Sequence, residues 1–577
     1  MELPRLTFDY LRENIVGRNN YFTTPFGEVL LTYADYTASG RALHFIEDYL
    51  QFLLGSYANT HTEDDITGKH MTGLLHEAEK MIKQCFNAGD NCYIIASGTG
   101  ATGAIKKFQE IIGVYQSPFT KNRREQLITE ALKSYPSMEE SQSSINAFIS
   151  GHKPVVFIGP YEHHSNDIMW REGLCDVIEV ELTVDGLFDL EDLEKKVSNP
   201  KYENRMKIGS FSAASNITGV RSPVYDIARI CHRHGALACF DFAASAPYVE
   251  IDMNKDDEAY FDAVFLSTHK FLGGPGGSGI LVINKKHYND KLPPTVAAGG
   301  TVDYVSRDDV LYIADAETRE KPGTPGILQT IKAALAINLK DAVGIEEIEN
   351  QELLLIKKAL ARFKKHPNIE ILGNQEPENR IAIFSLLFKH QERYLHPKLA
   401  TRLLNDLFGI QSRAGCSCAG PYGHRLLQIG KKTSLRYRQA IEDGFQCVKP
   451  GWTRINFHYT MSDEEFDFIC QAIEFIADYG HLFIPLYVLD EKTGEWKHRD
   501  EQTGQDMESL DISSVIVKTR QKRKQKKLTD FASEYRRYLE RGKMLTDQLQ
   551  KTGKKEYSRF DQPLREELRY FYFLNKI

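Results

Sequence analysis

One stretch constrains this chain of 577 residues more than any other: Ala263-Val264-Phe265-Leu266-Ser267-Thr268-His269-Lys270-Phe271-Leu272-Gly273-Gly274-Pro275-Gly276-Gly277-Ser278-Gly279. It reads as a short buried strand, then Ser-Thr-His-Lys, then a glycine-rich turn into another strand. A lysine between an apolar strand and a glycine run is poorly placed for a solvated charge. Desolvation lowers its pKa, and a neutral amine can condense with an aldehyde. Ser267 and His269 beside it offer donors for an anion. Taken alone, the stretch suits a surface-loop lysine equally well.

A second stretch bears on that choice. Ala236-Leu237-Ala238-Cys239-Phe240-Asp241 is an apolar strand ending in an acid, followed by Phe242-Ala243-Ala244-Ser245-Ala246. A carboxylate at the end of a buried strand needs a cationic partner or strong hydrogen bonds. The protonated pyridine nitrogen of pyridoxal 5'-phosphate (PLP) is one such partner, and an Asp working with a lysine that binds the aldehyde is a common way to hold that cofactor. A helix N-cap is the plainer reading of the same Asp.

The length predicts several domains. Apolar residues make up 42%, enough for a sizeable core, and the net charge of -7 argues against nucleic acid as a partner. The nine cysteines are scattered. Cys92, Cys239 and Cys470 lie in apolar surroundings and only Cys416 and Cys418 are close together, a pattern that fits a reducing compartment and predicts a cytoplasmic protein. Glu2, Asp9 and Glu13 leave no apolar segment for a signal peptide. No uninterrupted run of about eighteen apolar residues occurs, so no membrane span is expected.

Further motifs follow in order. Leu30 to Ser39 is a strand running through Asp35 into small residues, and Tyr57-Ala58-Asn59-Thr60-His61 is a polar loop. Cys92 to Ile105 reads as strand, glycine turn and helix start, whose free N–H groups suit a phosphate around Gly100, Ala101 and Thr102. Residues 114 to 153 are polar and charged and read as a solvated, helical or mobile insertion. The strand from Pro154 leads to Tyr161-Glu162-His163-His164-Ser165-Asn166, and the strand from Lys207 leads to Ser215-Asn216-Ile217-Thr218-Gly219. Alternation of strands with helices predicts a mainly parallel sheet with its chemistry at the strand ends. Lys321-Pro322-Gly323-Thr324-Pro325 reads as a turn in isolation. Beyond it lie Ser412-Arg413-Ala414-Gly415-Cys416-Ser417-Cys418, Trp452-Thr453-Arg454-Ile455-Asn456 and the capped helix start Ser462-Asp463-Glu464-Glu465. Cys-Ser-Cys is too tight for a two-residue metal hook, and no second pair supports zinc, so no metal is expected. From 486 onward a polar linker, a basic run at 518–527 and aromatic residues at helical spacing (Phe531, Tyr535, Tyr538) form an appendage expected to dock on the main body or on a partner.

In these motifs, from Tyr33 to Tyr479, the chain resembles the PLP-dependent class V aminotransferase superfamily, closest to the cysteine desulfurase and selenocysteine lyase branch. The resemblance implies PLP-dependent transferase fold type I, an α/β architecture. It would comprise a lead-in (1–30), a large domain with a mainly parallel seven-stranded sheet (31–326), a smaller α+β lobe (327–485) and a helical C-terminal appendage (486–577). It implies Lys270 as the lysine that binds the cofactor and moves the α-proton, Asp241 on the pyridine nitrogen, and His163 stacked on the ring as a catalytic histidine that can also take part in proton transfer. Gly100, Ala101, Thr102, Ser267 and His269 would hold the phosphate, with Thr324 reaching the phosphate of a neighbouring subunit in a homodimer with shared sites. Asn216 and Arg454 would hold the carboxylate of a small amino-acid substrate. Asn166 matches an asparagine near the cofactor. Cys418 falls where desulfurases place the cysteine that carries sulfur as a persulfide, for delivery to an acceptor protein. The reaction implied is removal of sulfur from L-cysteine, leaving alanine. One departure stands out: the family's glutamine after the Asp-x-x step is Ala244 here, so its contact with the cofactor falls to Ser245 or a water. That departure keeps open a lyase, epimerase or transaminase reaction with Cys418 incidental, or a non-catalytic scaffold.

Overall fold

The computed structural model describes residues 5–60, 64–415, 418–501, 511–520, 528–552, 568 and 570–571. The chain divides into two compact units: Thr37–Gln351 with Glu378–Ile381, and Met1–Tyr36, Glu352–Pro377 and Ala382–Ile577.

The first unit is built on a seven-stranded sheet of Cys92–Ala96 (β1), Val155–Ile158 (β2), Asp176–Glu179 (β3), Lys207–Ser212 (β4), Ala236–Asp241 (β5), Ala263–Ser267 (β6) and Gly279–Asn284 (β7), in the order β1-β7-β6-β5-β4-β2-β3. The neighbours from β6 to β3 are parallel, and β7 runs antiparallel between β1 and β6. The central strands are apolar on both faces, and β2 and β6 are buried at every residue. Such strands need helices over both faces. Helix Val224–Arg233 shows how they supply cover, with Ile227, Ala228, Ile230 and Cys231 buried along one side and its charges left outside. Helix Gly100–Ile111 (α1) follows β1 and buries Ala101, Ala104, Ile105 and Phe108. The parallel strands end together at Ser212, Asp241 and Ser267, so the chain leaves the sheet along one edge with polar residues in place.

Residues 114–153 form two helices, Pro118–Ser134 (α2) and Glu139–His152 (α3), that bury none of their described residues. Helix Ile327–Val343 stays with the sheet rather than opening the smaller lobe. Ile331, Ala333, Ala334, Ala336 and Ile337 are all buried, a surface too apolar to face solvent.

The second unit holds an antiparallel sheet of Ile369–Ile371 (β8), Ile383–His390 (β9), Arg413–Gly415 (β10) and Trp452–Asn456 (β11), ordered β8-β9-β11-β10. Helices Pro397–Phe408 and Asp463–Tyr479 cover it through Leu399, Leu403, Phe408, Phe468, Ile469 and Ile473. The residues beyond 486 are not purely helical: Tyr487–Asp490 and Glu495–His498 form a hairpin whose Tyr487 and Trp496 are buried. Helix Phe531–Thr552 then packs on Asp463–Tyr479, with the Tyr535 ring stacked on Phe468 at 4.1 Å and the Leu30 N–H donating to the Tyr538 hydroxyl at 3.0 Å. The basic run over 521–527 and the 502–510 linker lie outside the described residues. Among the described residues no helix is long and apolar enough to cross a membrane.

At the edge of the large sheet opposite Asp241, Asp262 is fully buried before β6. It accepts hydrogen bonds from His232 Nε2 (2.9 Å), His287 Nε2 (2.6 Å) and the Ala238 N–H (2.7 Å), and pairs with Lys286 Nζ at 2.8 Å. Burial opposes the charge, but these donors together outweigh it and hold the carboxyl well below the usual carboxylate range. A depressed folded-state pKa stabilises above the unfolded value of about 3.9 and loses that contribution as pH falls through the folded one. Asp262→Asn is therefore expected to destabilise the fold by about 1–3 kcal/mol at pH 7, because the His232, His287 and Ala238 donors lose a charged acceptor. Thermal unfolding midpoints of variant and wild type should converge as the pH is lowered below about 4.

Candidate active site

The pocket at the strand ends of the large sheet is lined by Thr99, Ala101, Thr102, His163, Ser165, Ser212, Ala214, Asn216, Asp241, Ala243, Ala244, Ser267, His269 and Lys270. It gathers eight of the residues singled out in the sequence, from five segments more than 160 positions apart at the extremes. A larger cavity of about 580 Å³ in the same unit, beside Leu190, Tyr225 and Glu378, contains none of them.

One end of the pocket is the start of α1. Gly100 has φ +64°, in the left-handed region that favours glycine. A Cβ at Gly100 would lie 2.8 Å from Ser267 Oγ and 3.0 Å from His269 Cε1, so glycine is what lets the helix start approach β6. The Ala101 N–H donates to Ser267 Oγ at 2.9 Å, and Thr102 Oγ1 lies 2.7 Å from Ser165 Oγ. Burial, helped by the neighbouring Lys270 charge, pushes the His269 imidazole below its usual pKa. Helix-start N–H groups, three hydroxyls and an imidazole around one spot form a site for a tetrahedral anion.

At the other end Asp241 is 4% exposed and accepts from the Ala243 N–H at 2.8 Å. Burial raises its pKa, against that hydrogen bond and the Lys270 charge. Below it lies Glu162, which the sequence reading passed over in favour of the histidine after it. Glu162 accepts from the Gly159 N–H (3.0 Å), the Ser212 N–H (2.8 Å), Ser212 Oγ (2.6 Å) and Asn166 Nδ2 (2.6 Å). Burial, with Asp241 adding, still pushes it up to about 7. The Glu in a Glu-His-His-x-Asn run was the only sequence signal for this support.

His163 is half-buried on the pocket wall, and its Nδ1 accepts from the Ser165 N–H at 3.2 Å, which places the proton of the neutral ring on Nε2. Asn166 does not reach the pocket: its amide is spent on Glu162, Trp170 Nε1 (3.0 Å) and Ser210 Oγ (2.6 Å). Ala244 lines the pocket, but Ser245 lines the larger cavity, because the chain turns after β5; Ser245 therefore does not replace the missing glutamine contact. Asn216 and Ser212 are the polar side chains on that wall. Thr324 is outside the pocket: it is exposed and accepts from Asn59 Nδ2 at 3.1 Å. His61 and Cys416 lie outside the described residues.

Arg454 and Cys418 belong to the other unit. Arg454 is 3% exposed in the middle of β11, opposite Arg413 of β10, and donates from Nη2 to Asp35 Oδ1 at 3.0 Å. Burial lowers its pKa against the raising effect of Asp35. Cys418 is exposed in the turn after β10, with φ +60°, a conformation a non-glycine residue adopts only at a cost of about 1 kcal/mol or more. The other described cysteines are buried or half-buried.

Comparison with known proteins agrees with this arrangement. Residues 141–467 match the family model for class-V aminotransferases, a narrower span than the Tyr33–Tyr479 of the motifs. A probable cysteine desulfurase of Halalkalibacterium halodurans is 30% identical over 338 residues, covering 57% of this chain and 72% of that protein. One of Streptomyces coelicolor is 28% identical over 333 residues, covering 57% and 71%. The fold matches a cysteine desulfurase of Thermococcus onnurineus with TM-score 0.62 at 21% identity, over 83% of this chain and 99% of that one. It also matches one of Escherichia coli with TM-score 0.59 at 18% identity, over 82% and 98%. A lysine and a buried aspartate at the strand ends of such a sheet, with an anion cradle at the first helix, are what this relationship leads one to expect. The chain belongs to the PLP-dependent class-V aminotransferase family, near its cysteine desulfurases.

Proposed function

We propose that this protein is a cysteine desulfurase, taking sulfur from L-cysteine onto Cys418 and releasing alanine. Two features, each within its own unit, support the reading. One is the Lys270–Asp241 pocket. The other is Cys418, the one fully exposed thiol among the described cysteines, presented on a left-handed turn. The relatives named as probable cysteine desulfurases support it.

The residues present fit PLP. The cradle of Gly100, Ala101, Thr102, Ser267 and His269 suits its phosphate, and the Asp241 carboxyl, raised by burial, is matched to a cationic pyridine nitrogen. Bound there, the cofactor supplies an electron sink for the charge left when the α-proton departs. Lys270 Nζ would hold the cofactor at its aldehyde end and carry the α-proton. Asp241 keeps a proton on the ring nitrogen. His163 presents a flat imidazole to the ring, with a proton held at Nε2. Asn216 and Arg454 take the substrate carboxylate, for which a planar guanidinium offers two parallel donors. Cys418 Sγ then bonds to the substrate sulfur as the carbon–sulfur bond of cysteine breaks. The carbon keeps that electron pair and takes up a proton, becoming the methyl group of alanine. A protein that accepts the persulfide sulfur completes the cycle. We further propose a cytoplasmic homodimer in which Thr324, exposed in one chain, serves the phosphate of the other.

Purified, PLP-loaded protein should produce alanine and sulfide in equal amounts from L-cysteine with a thiol present. Lys270→Ala should lower the rate by about 10²-fold or more, since proton transfer by a placed base is worth that much. Cys418→Ala should abolish sulfur release while the bound cofactor's absorbance persists; unchanged release from that variant removes Cys418 from the reaction. No alanine from a cofactor-loaded wild type would point to another amino-acid reaction of the family.

Asp241→Asn tests the cofactor assignment separately. Without a carboxylate to hold the ring proton, PLP titrations should show weaker retention, and alanine formation should fall by about 10²-fold or more.

A further inference from the structure

Two arginines stand directly opposite each other on neighbouring strands of the second unit, Arg413 on β10 and Arg454 on β11. Like charges in that position repel. Asp35 lies between them: its Oδ1 accepts from Arg454 Nη2 and its Oδ2 from Arg413 Nε, both at 3.0 Å. The carboxylate cannot drift, because the backbone beside it is fixed to both strand segments. The Ala34 N–H donates to the Gln411 carbonyl at 2.9 Å, and the Asn456 N–H to the Ala34 carbonyl at 2.8 Å. The side chains of Asp35 and Arg454 are 10% and 4% exposed, so the pair is shielded from water, whereas that of Arg413 is half exposed. Two cations and one anion give these three side chains a net charge of +1.

The chain positions add a second link. Arg413 begins the short strand that ends at Gly415, and Cys418, in a turn, lies three positions further along the chain. One carboxylate therefore touches both the guanidinium assigned to the substrate carboxylate and the stem of the sulfur-carrying turn.

We propose that Asp35 is a positioning residue: it holds the Arg454 guanidinium ready for an α-carboxylate and ties the stem of the Cys418 turn to it through Arg413. This rests on the roles given above to Arg454 and Cys418. A carboxylate arriving at Arg454 meets a guanidinium already oriented by Asp35, and the second oxygen keeps Asp35 held on Arg413 meanwhile. Occupancy at Arg454 is thereby felt at the base of the turn.

The test uses two readouts that need no sulfur chemistry. The first is binding of L-alanine against ethylamine, which lacks the carboxylate, followed by the absorbance change of PLP-loaded protein. Wild type should prefer alanine, and Asp35→Asn should reduce that preference by about tenfold, the worth of one charged hydrogen bond. The second is hydrogen exchange over residues 410–415 in the cofactor-free protein, which should quicken in both Asp35→Asn and Arg413→Gln as the tether is lost. Arg413→Gln leaves the buried Asp35–Arg454 pair intact and keeps the test usable if Asp35→Asn does not fold. An unchanged preference in folded Asp35→Asn, no preference in wild type, or unchanged exchange in Arg413→Gln each overturns the proposal. Wild type that makes no alanine from cysteine yet shows both effects sinks the desulfurase reading and leaves this one standing.

Discussion

Burial of the Asp241 carboxyl is the constraint on which the large unit depends. A carboxylate at the end of a doubly covered strand is costly unless a cation or strong donors meet it. Here one backbone N–H and the Lys270 charge partly meet it, and burial still dominates. A carboxyl in such a place suits a cationic partner. The surroundings serve that arrangement: Ser212 on the adjacent strand is locked by Glu162, Glu162 by Asn166, and Asn166 by Trp170 and Ser210. Each group in this chain is buried and satisfied by the next, which makes the pocket wall stiff.

At the opposite edge of the same sheet Asp262 meets the reverse situation. Donors surround it and its charge is favoured. Two aspartates separated only by the connection from β5 to β6 therefore take opposite electrostatic characters. The difference comes from what the neighbouring chain segments bring to each.

The second unit treats charge in a third way. Arg454 is buried in a strand, with its cost offset by Asp35, and the trio with Arg413 keeps a net positive charge. The residues beyond 486 join this unit's core through Tyr487, Trp496, Tyr535 and Tyr538. Their aromatic spacing serves packing, as an apolar stripe on a charged helix ordinarily does.

Much of this was legible in the residues. Apolar runs ending in Ser, Asp or Lys marked the strands and the edge where the chemistry gathers, because a doubly buried parallel strand admits polar groups only at its end. Gly100, which opens α1, marked the anion cradle, because only glycine tolerates both its φ and its closeness to Ser267. Other features had no local signal. Ser245 faces away from the pocket while Ala244 faces in, a matter of which way the chain turns after β5. Asn166 is consumed by a tryptophan and a serine from other segments. The hairpin at Tyr487–His498 was hidden in a stretch read as polar and helical, since its strands are stabilised by the lobe they cover. The sequence by itself determined the strand ends, the lysine and aspartate and the helix-start cradle, for these follow from local burial and backbone freedom. Only the tertiary structure decided that Asp35, nearly four hundred positions from Arg413 and more than four hundred from Arg454, bridges them both. An ion pair is set by distance in space, and nothing in a linear pattern records which strands will lie side by side.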